Sequence, residues 1–220
     1  MSKQSLDEPA TVFVIDDNQA VRNSLRDLFE SIDLQVVAVG TAKEFLQIER
    51  PDVPSCMVLD IRLPDMSGLD FQDVLVRQGI DIPITFLTGY ADIPMTVKAL
   101  KGGAIAFLTK PAREEELLKA VRMGIETDRL RRSHEKMLAG LKARFASLTL
   151  REQQTFQLVT TGMMNKQIAA RLGVSEITVK AHRGNVMRKM EARTLVDLLR
   201  MSDLLYDRDA GSHSVAGAAL

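Results

Sequence analysis

Six residues at widely separated positions have the right types to do chemistry together: Asp16, Asp17, Asp60, Thr88, Lys110 and Pro111. Each of the first five lies at or just past the C-terminal end of a short apolar run that reads as a β-strand. In an open parallel α/β sheet those ends share one edge, which is where ligands bind. Three carboxylates gathered at one edge repel each other and need a cation to coexist. An acidic pocket of this kind suits Mg²⁺. With one Asp exposed beside a lysine and a threonine, it is suited to receiving a phosphoryl group.

The elements that must position these residues alternate along residues 11–126. Thr11–Asp16 is a β-rich apolar run. Val21, Leu25, Leu28, Phe29 and Ile32 then follow at i, i+4, i+7, i+8 and i+11, one stripe of a helix. Leu34–Val39, Cys56–Leu59, Pro83–Leu87 and Ala104–Thr109 read as four more strands. Thr41-Ala42-Lys43-Glu44 has the pattern of a capping box. Ser67 can cap a helix through Leu75, Pro94 suits a first helical turn, Gly102-Gly103 breaks that helix, and Glu114–Ile125 closes the series. Five β/α units predict a doubly wound, five-stranded parallel sheet covered by helices on both faces.

The remainder differs in character. Residues 127–147 form a linker, charge-rich and without proline. Leu130, Met137, Leu138, Leu141 and Phe145 recur roughly at helical spacing. A helical extension of the preceding helix is favoured over a flexible tether. Residues 148–206 read as four short helices and no strand. Thr149-Leu150-Arg151-Glu152 is a capping box, Asn165 caps a second helix, Gly173 ends it, Ser175 caps a third and Thr194 a fourth. Helix, tight glycine turn, capped helix is the helix-turn-helix pattern. Residues 207–220 are Asp, Arg, Gly, Ser and Ala in the main and read as a disordered tail.

Charge separates the two halves. The 220 residues carry 29 basic and 29 acidic side chains, yet residues 1–126 hold 13 against 20 and residues 127–220 hold 16 against 9. The acidic half suits a metal or a cationic partner, the basic half a polyanion such as DNA. Cys56, the one cysteine, sits in an apolar run and reads as a buried strand residue. One cysteine permits no disulfide within the chain, which fits a reducing compartment. No signal peptide is evident and no apolar run approaches the ~18 residues of a membrane span. The expected location is the cytoplasm, with no membrane association.

The motifs of the first half, taken together, resemble the receiver domain of two-component response regulators. They are Val14-Ile15-Asp16-Asp17-Asn18, Leu59-Asp60-Ile61-Arg62-Leu63-Pro64-Asp65-Met66-Ser67-Gly68-Leu69, Leu87-Thr88-Gly89 and Phe107-Leu108-Thr109-Lys110-Pro111. The resemblance implies a CheY-like, flavodoxin-like domain over residues 10–126. In it Asp60 is the nucleophile that takes a phosphoryl group from the phosphohistidine of a sensor histidine kinase. Asp16, Asp17, Asp60 and the backbone carbonyl of Arg62 would ligate Mg²⁺. Lys110 would pair with phosphoryl oxygens and Thr88 would move to hydrogen-bond them. The Lys110–Pro111 bond is cis in that family. Phe107 stands where the family places a switch aromatic, or is a permanently buried strand residue. Tyr90, two residues past Thr88, either shields the phosphoryl group from water or is an ordinary loop tyrosine.

The second half resembles the LuxR-type helix-turn-helix of the NarL/FixJ response-regulator family. The resemblance rests on Leu148–Glu152, Gly162, Asn165-Lys166-Gln167-Ile168-Ala169, Leu172-Gly173-Val174-Ser175 and Thr178-Val179-Lys180-Ala181-His182. A recognition helix would run from about Ser175 to Met190, with Val179, Val186 and Met190 facing the core. Lys180, Ala181, Gly184, Asn185 and Arg188 would face the major groove. Lys166, Thr178 and Arg183 suit phosphate contacts. His182 is assigned to packing in preference to DNA contact, and Glu152 to capping and an internal ion pair. Gly184 departs from the larger polar residue frequent there in relatives.

The whole then reads as a phosphorylation-switched transcription regulator, an activator by family habit. It would dimerise through the region of Pro94–Lys101, Ala104–Thr109 and Arg113–Ile125, bind two promoter half-sites of double-stranded DNA and work with RNA polymerase. Such a protein takes a phosphoryl group and slowly loses it without being a dedicated enzyme. A haloacid-dehalogenase-like phosphatase needs a second Asp two residues after the nucleophile, where this chain has Arg62. A dinucleotide-binding oxidoreductase needs a glycine-rich turn after the first strand, which is missing. A signalling module that binds only protein is disfavoured by the basic second half.

Overall fold

The structure, a computed structural model, describes residues 9–211, with side chains through Tyr206. The chain divides into two compact units, the first ending at Ser133 and the second beginning at His134.

In the first unit, strands β1 (Thr11–Ile15), β2 (Gln35–Val39), β3 (Ser55–Leu59), β4 (Ile84–Thr88) and β5 (Ala106–Thr109) make one sheet in the order β2-β1-β3-β4-β5, every pair parallel. Helices α1 (Gln19–Glu30), α2 (Ala42–Gln47), α3 (Gly68–Arg77), α4 (Ile93–Lys101) and the start of α5 (Glu114–Ala146) cover it. Successive strand residues point to opposite faces. Phe13, Ile15, Met57, Leu59 and Phe86 therefore join Phe45 and Phe71 on one side. Val12, Val14, Cys56 and Val58 join Phe29, Val121 and Ile125 on the other. Burial on both faces is why these strands are continuous apolar runs in the sequence.

The helix starts are set locally, with one difference from expectation. Asn18 caps α1 by accepting from Ala20 N at 2.9 Å. Thr41 Oγ1 accepts from Glu44 N at 3.0 Å, but the Glu44 carboxylate reaches Gly40 N at 2.8 Å instead of closing the box on Thr41. The remaining free N–H groups of α2 are taken by Asp65, which accepts from Lys43 N at 2.9 Å across the fold.

The second unit holds the end of α5 with α6 (Leu150–Thr160), α7 (Asn165–Leu172), α8 (Glu176–Met190) and α9 (Leu195–Gly211). Leu141, Leu148, Phe156, Ile168, Val179, Val186, Met190 and Leu198 make its core. Gly173, at φ 67°, is the left-handed residue that turns the chain from α7 into α8, a conformation cheap only for glycine.

Two features further on differ from the sequence reading, while residues 127–146 are helical as part of α5, the extension favoured there. Asp128 of this stretch is fully buried in the first unit, accepting from Ser55 N at 2.9 Å and Arg132 Nε at 2.7 Å. Asn165 does not cap α7: it is the first helical residue, the cap position is Met164, and Gln167 Oε1 accepts from Met164 N at 2.9 Å. Asn165 is diverted because its Oδ1 accepts from Arg183 at 2.8 Å. The predicted disordered tail begins too early, since α9 continues through Gly211. Propagating an existing helix by one residue is far easier than starting one, so polar residues extend it. The rest of that predicted tail, 212–220, lies outside the described residues.

Candidate active site and nucleic-acid interface

The C-terminal ends of β1, β3 and β5 bring Asp16, Asp17, Asp60 and Lys110 together. One oxygen from each carboxylate lies within 4.8 Å of the others. Asp16 and Asp60 are buried and Asp17 is exposed. Lys110 Nζ donates to Asp16 Oδ2 at 2.5 Å and to Asp60 Oδ2 at 2.6 Å. The other Asp60 oxygen accepts from Arg62 N at 3.2 Å, and the other Asp16 oxygen from Asn18 N at 3.0 Å. Burial raises the pKa of Asp16 above its ordinary value, only partly offset by the Lys110 and Asn18 donors. Burial alone would lower the Lys110 pKa; its hydrogen bonds to Asp16 and Asp60 outweigh that and hold it above its usual value. The lysine stays cationic and supplies one of the charges that three acids require. The donor set is carboxylate oxygen only, the chemistry of a hard cation.

Thr88 ends β4 and is buried. Its Oγ1 accepts from Tyr90 N at 3.3 Å, and its carbonyl from Lys110 N at 2.8 Å. The Lys110–Pro111 bond is cis. Phe107 is half-buried, its ring 6.1 Å from that of Phe86. Tyr90 is 57% exposed, with the Arg62 guanidinium carbon 3.2 Å from its ring centroid. That stack, formed between the loops after β3 and β4, is a cation–π contact.

Sequence reasoning missed several supporting residues. Arg22 donates to the carbonyls of Asp16 and Asp17 at 2.6 and 2.9 Å, bracing the turn that carries both acids. Its only signal was a basic residue one turn into the helix after that pair. Gly68 was read as part of a motif without a role. A Cβ there would meet the Asp60 carbonyl oxygen at 2.2 Å, so only glycine lets α3 start against the backbone of Asp60.

In the second unit α7 and α8 make the helix-turn-helix. Val179, Val186 and Met190 are buried, while Lys180, Ala181, Gly184, Asn185 and Arg188 are exposed along α8. Lys166 is exposed; Thr178, His182 and Arg183 are half-buried. Glu152 completes the capping box expected of it, accepting from Thr149 N at 2.8 Å and from Lys189 Nζ at 2.6 Å. The Lys189 ammonium, then the Thr149 N–H, hold its pKa below the ordinary 4.5. A depressed carboxylate stabilises the fold above its unfolded pKa, and the contribution is lost as pH falls through the folded value. Glu152→Gln is expected to cost about 2 kcal/mol at neutral pH, because Lys189 loses its carboxylate. It is also expected to flatten the loss of stability below about pH 4.5. Urea melts of both proteins at neutral and acidic pH check this; parallel pH profiles would refute the pairing.

Comparison with known proteins agrees with this geometry. The response regulator receiver domain family matches residues 12–122, and the luxR family of bacterial regulatory proteins matches residues 146–202. Nodulation protein W of Bradyrhizobium diazoefficiens is 57% identical over 89% of this chain and 86% of its own. Response regulator protein TodT of Pseudomonas putida is 44% identical over 91% and 88%. The solved structure of the response regulator StyR superposes with a TM-score of 0.82 at 45% identity, covering 89% of this chain and 98% of that one. The chain belongs to the NarL/FixJ family of two-component response regulators: a receiver domain followed by a LuxR-type DNA-binding domain. Among the described residues no helix is long and apolar enough to cross a membrane.

Proposed function

We propose that Asp60 accepts a phosphoryl group from a sensor histidine kinase and that this controls promoter binding by the second unit. The observation that carries the proposal is the meeting of Asp16, Asp17 and Asp60 with Lys110 at the strand ends. An Asp60 carboxylate oxygen forms the bond to phosphorus. The phosphorus–nitrogen bond of the donor phosphohistidine breaks, and its electron pair leaves on the imidazole. Lys110, already on Asp60 Oδ2, pairs with the incoming phosphoryl oxygens. Asp16, Asp17, Asp60 and the Arg62 carbonyl would hold Mg²⁺, and the charge it would supply is what offsets repulsion between carboxylate and phosphoryl dianion. Thr88 swings from Tyr90 N to the phosphoryl group and Phe107 turns inward into the space vacated. Residues 10–126 act as receiver, 127–147 as helical linker and 148–206 as the DNA-binding domain, in the cytoplasm.

Phosphorylation promotes dimerisation through α4, β5 and the start of α5. The exposed Ile93, Val97 and Leu100 on α4 supply apolar area for that face. Dimerisation places two recognition helices on half-sites one turn of DNA apart, where the protein recruits RNA polymerase as an activator. Lys180, Ala181, Asn185 and Arg188 face base edges, with Gly184 between them, and Lys166, Thr178 and Arg183 meet phosphates. Light scattering with Mg²⁺ is expected to show monomers that become dimers on adding beryllofluoride, while Asp60→Asn stays monomeric. An unchanged mass would overturn dimerisation as the switch.

The Arg62–Tyr90 stack shields the aspartyl phosphate from water. Tyr90→Gly, which removes the ring and frees Arg62, is expected to shorten the phosphoryl half-life about tenfold, equivalent to ~1.4 kcal/mol of barrier. Phosphate release after acetyl-phosphate loading measures it, and an unchanged half-life would assign the shielding elsewhere.

A further inference from the structure

The exposed face of α8 holds a residue that the reading from sequence left out. Ile177, Ala181, Gly184 and Arg188 lie at i, i+4, i+7 and i+11, one stripe of the helix, with Lys180 alongside. Ile177 is 80% exposed, while Val179, Val186 and Met190 fill the opposite, buried face. An isolated exposed isoleucine is unremarkable in itself. This one stands in the first turn of α8, and helix-turn-helix proteins touch base edges with the N-terminal residues of that helix. The residues following it on the stripe are small. Ala181 offers one methyl, and a Cβ built on Gly184 meets nothing within 4 Å. Two small residues let the helix backbone approach the floor of the groove, and that carries a branched side chain one turn earlier down to the base edges. In the major groove the apolar group that tells one base pair from another is the C5 methyl of thymine.

We infer that Ile177 is a specificity-determining residue that reads a thymine methyl in each half-site. The inference rests on α8 being the recognition helix. Lys180 and Asn185 can donate hydrogen bonds to base edges, but neither can reward a methyl. Ala181 is too short to bury much of one. Ile177 is the large apolar side chain of the exposed α8 face.

The test is in vitro selection from a randomised duplex library with the full-length, beryllofluoride-activated protein. Wild type, Ile177→Ala and Lys180→Ala are compared. Each thymine of the selected site is then replaced by deoxyuridine, which lacks only the methyl. Wild type is expected to select one fixed thymine per half-site. Its replacement is expected to weaken binding about fourfold, the worth of one buried methyl group. Ile177→Ala is expected to lose both the preference and the sensitivity while keeping its melting temperature. Identical selection and identical deoxyuridine sensitivity in Ile177→Ala would overturn the inference. If Lys180→Ala alone then loses specific binding, the recognition-helix reading stands without it. If neither substitution alters selection, that reading falls too.

Discussion

Asp60→Asn will take up no phosphoryl group from acetyl phosphate or a phosphorylated kinase, while retaining the fold. The amide is nearly the same size as the carboxylate and keeps an oxygen to accept from Arg62 N, as Asp60 Oδ1 does at 3.2 Å. It also removes one of three crowded negative charges, so stability is expected to hold or rise slightly. What it lacks is the anionic oxygen whose electron pair forms the bond to phosphorus. Losing the nucleophile of a covalent transfer abolishes the step instead of slowing it. Phosphoprotein gel mobility and intact-mass measurement check the expectation. A mass gain of one phosphoryl group in the variant would place the acceptor elsewhere.

Lys110→Ala is expected to push two properties in opposite directions. Lys110 sits on the carboxylates that would ligate the cation, at 2.5 Å from Asp16 and 2.6 Å from Asp60. A positive charge that close repels Mg²⁺ and occupies its ligands, so removing it is expected to tighten Mg²⁺ binding roughly tenfold. The same ammonium neutralises charge on the transferring phosphoryl group, so phosphorylation is expected to slow by about a hundredfold. Calorimetric Mg²⁺ titration and acetyl-phosphate kinetics give the two numbers. A loss of both together would mean that Lys110 merely holds the site's shape.

The receiver was legible because its physics is local. Strands buried on both faces appear as unbroken apolar runs, and a parallel sheet puts their C-terminal ends at one edge. The acids and the lysine were therefore located by the strands that precede them. The Thr149–Glu152 box was legible for the same reason, since both partners lie within one helical turn. The misses share a different cause. Asn165 has the composition of a cap, yet Arg183, eighteen residues on, claims its side chain. The Glu44 half of the α2 box is drawn to Gly40, while Asp65 serves the α2 N–H groups from a distant loop. Asp128 lay in a charge-rich stretch that reads as a helical linker. Only the tertiary fold brings Ser55 to it, and its one sequence signal was the pair of arginines three and four residues later. Gly68 was visible as a residue but not as a requirement, because the Asp60 carbonyl it must clear is a backbone atom.

The most direct test of the account is the affinity of the full-length protein for its selected DNA site, measured by fluorescence anisotropy at fixed salt. It is measured with Mg²⁺ alone and with Mg²⁺ and beryllofluoride, for wild type and Asp60→Asn. The account predicts that beryllofluoride tightens wild-type binding at least tenfold and leaves Asp60→Asn unchanged. Equal wild-type affinities in the two conditions would contradict it, and control of DNA binding would then not pass through Asp60.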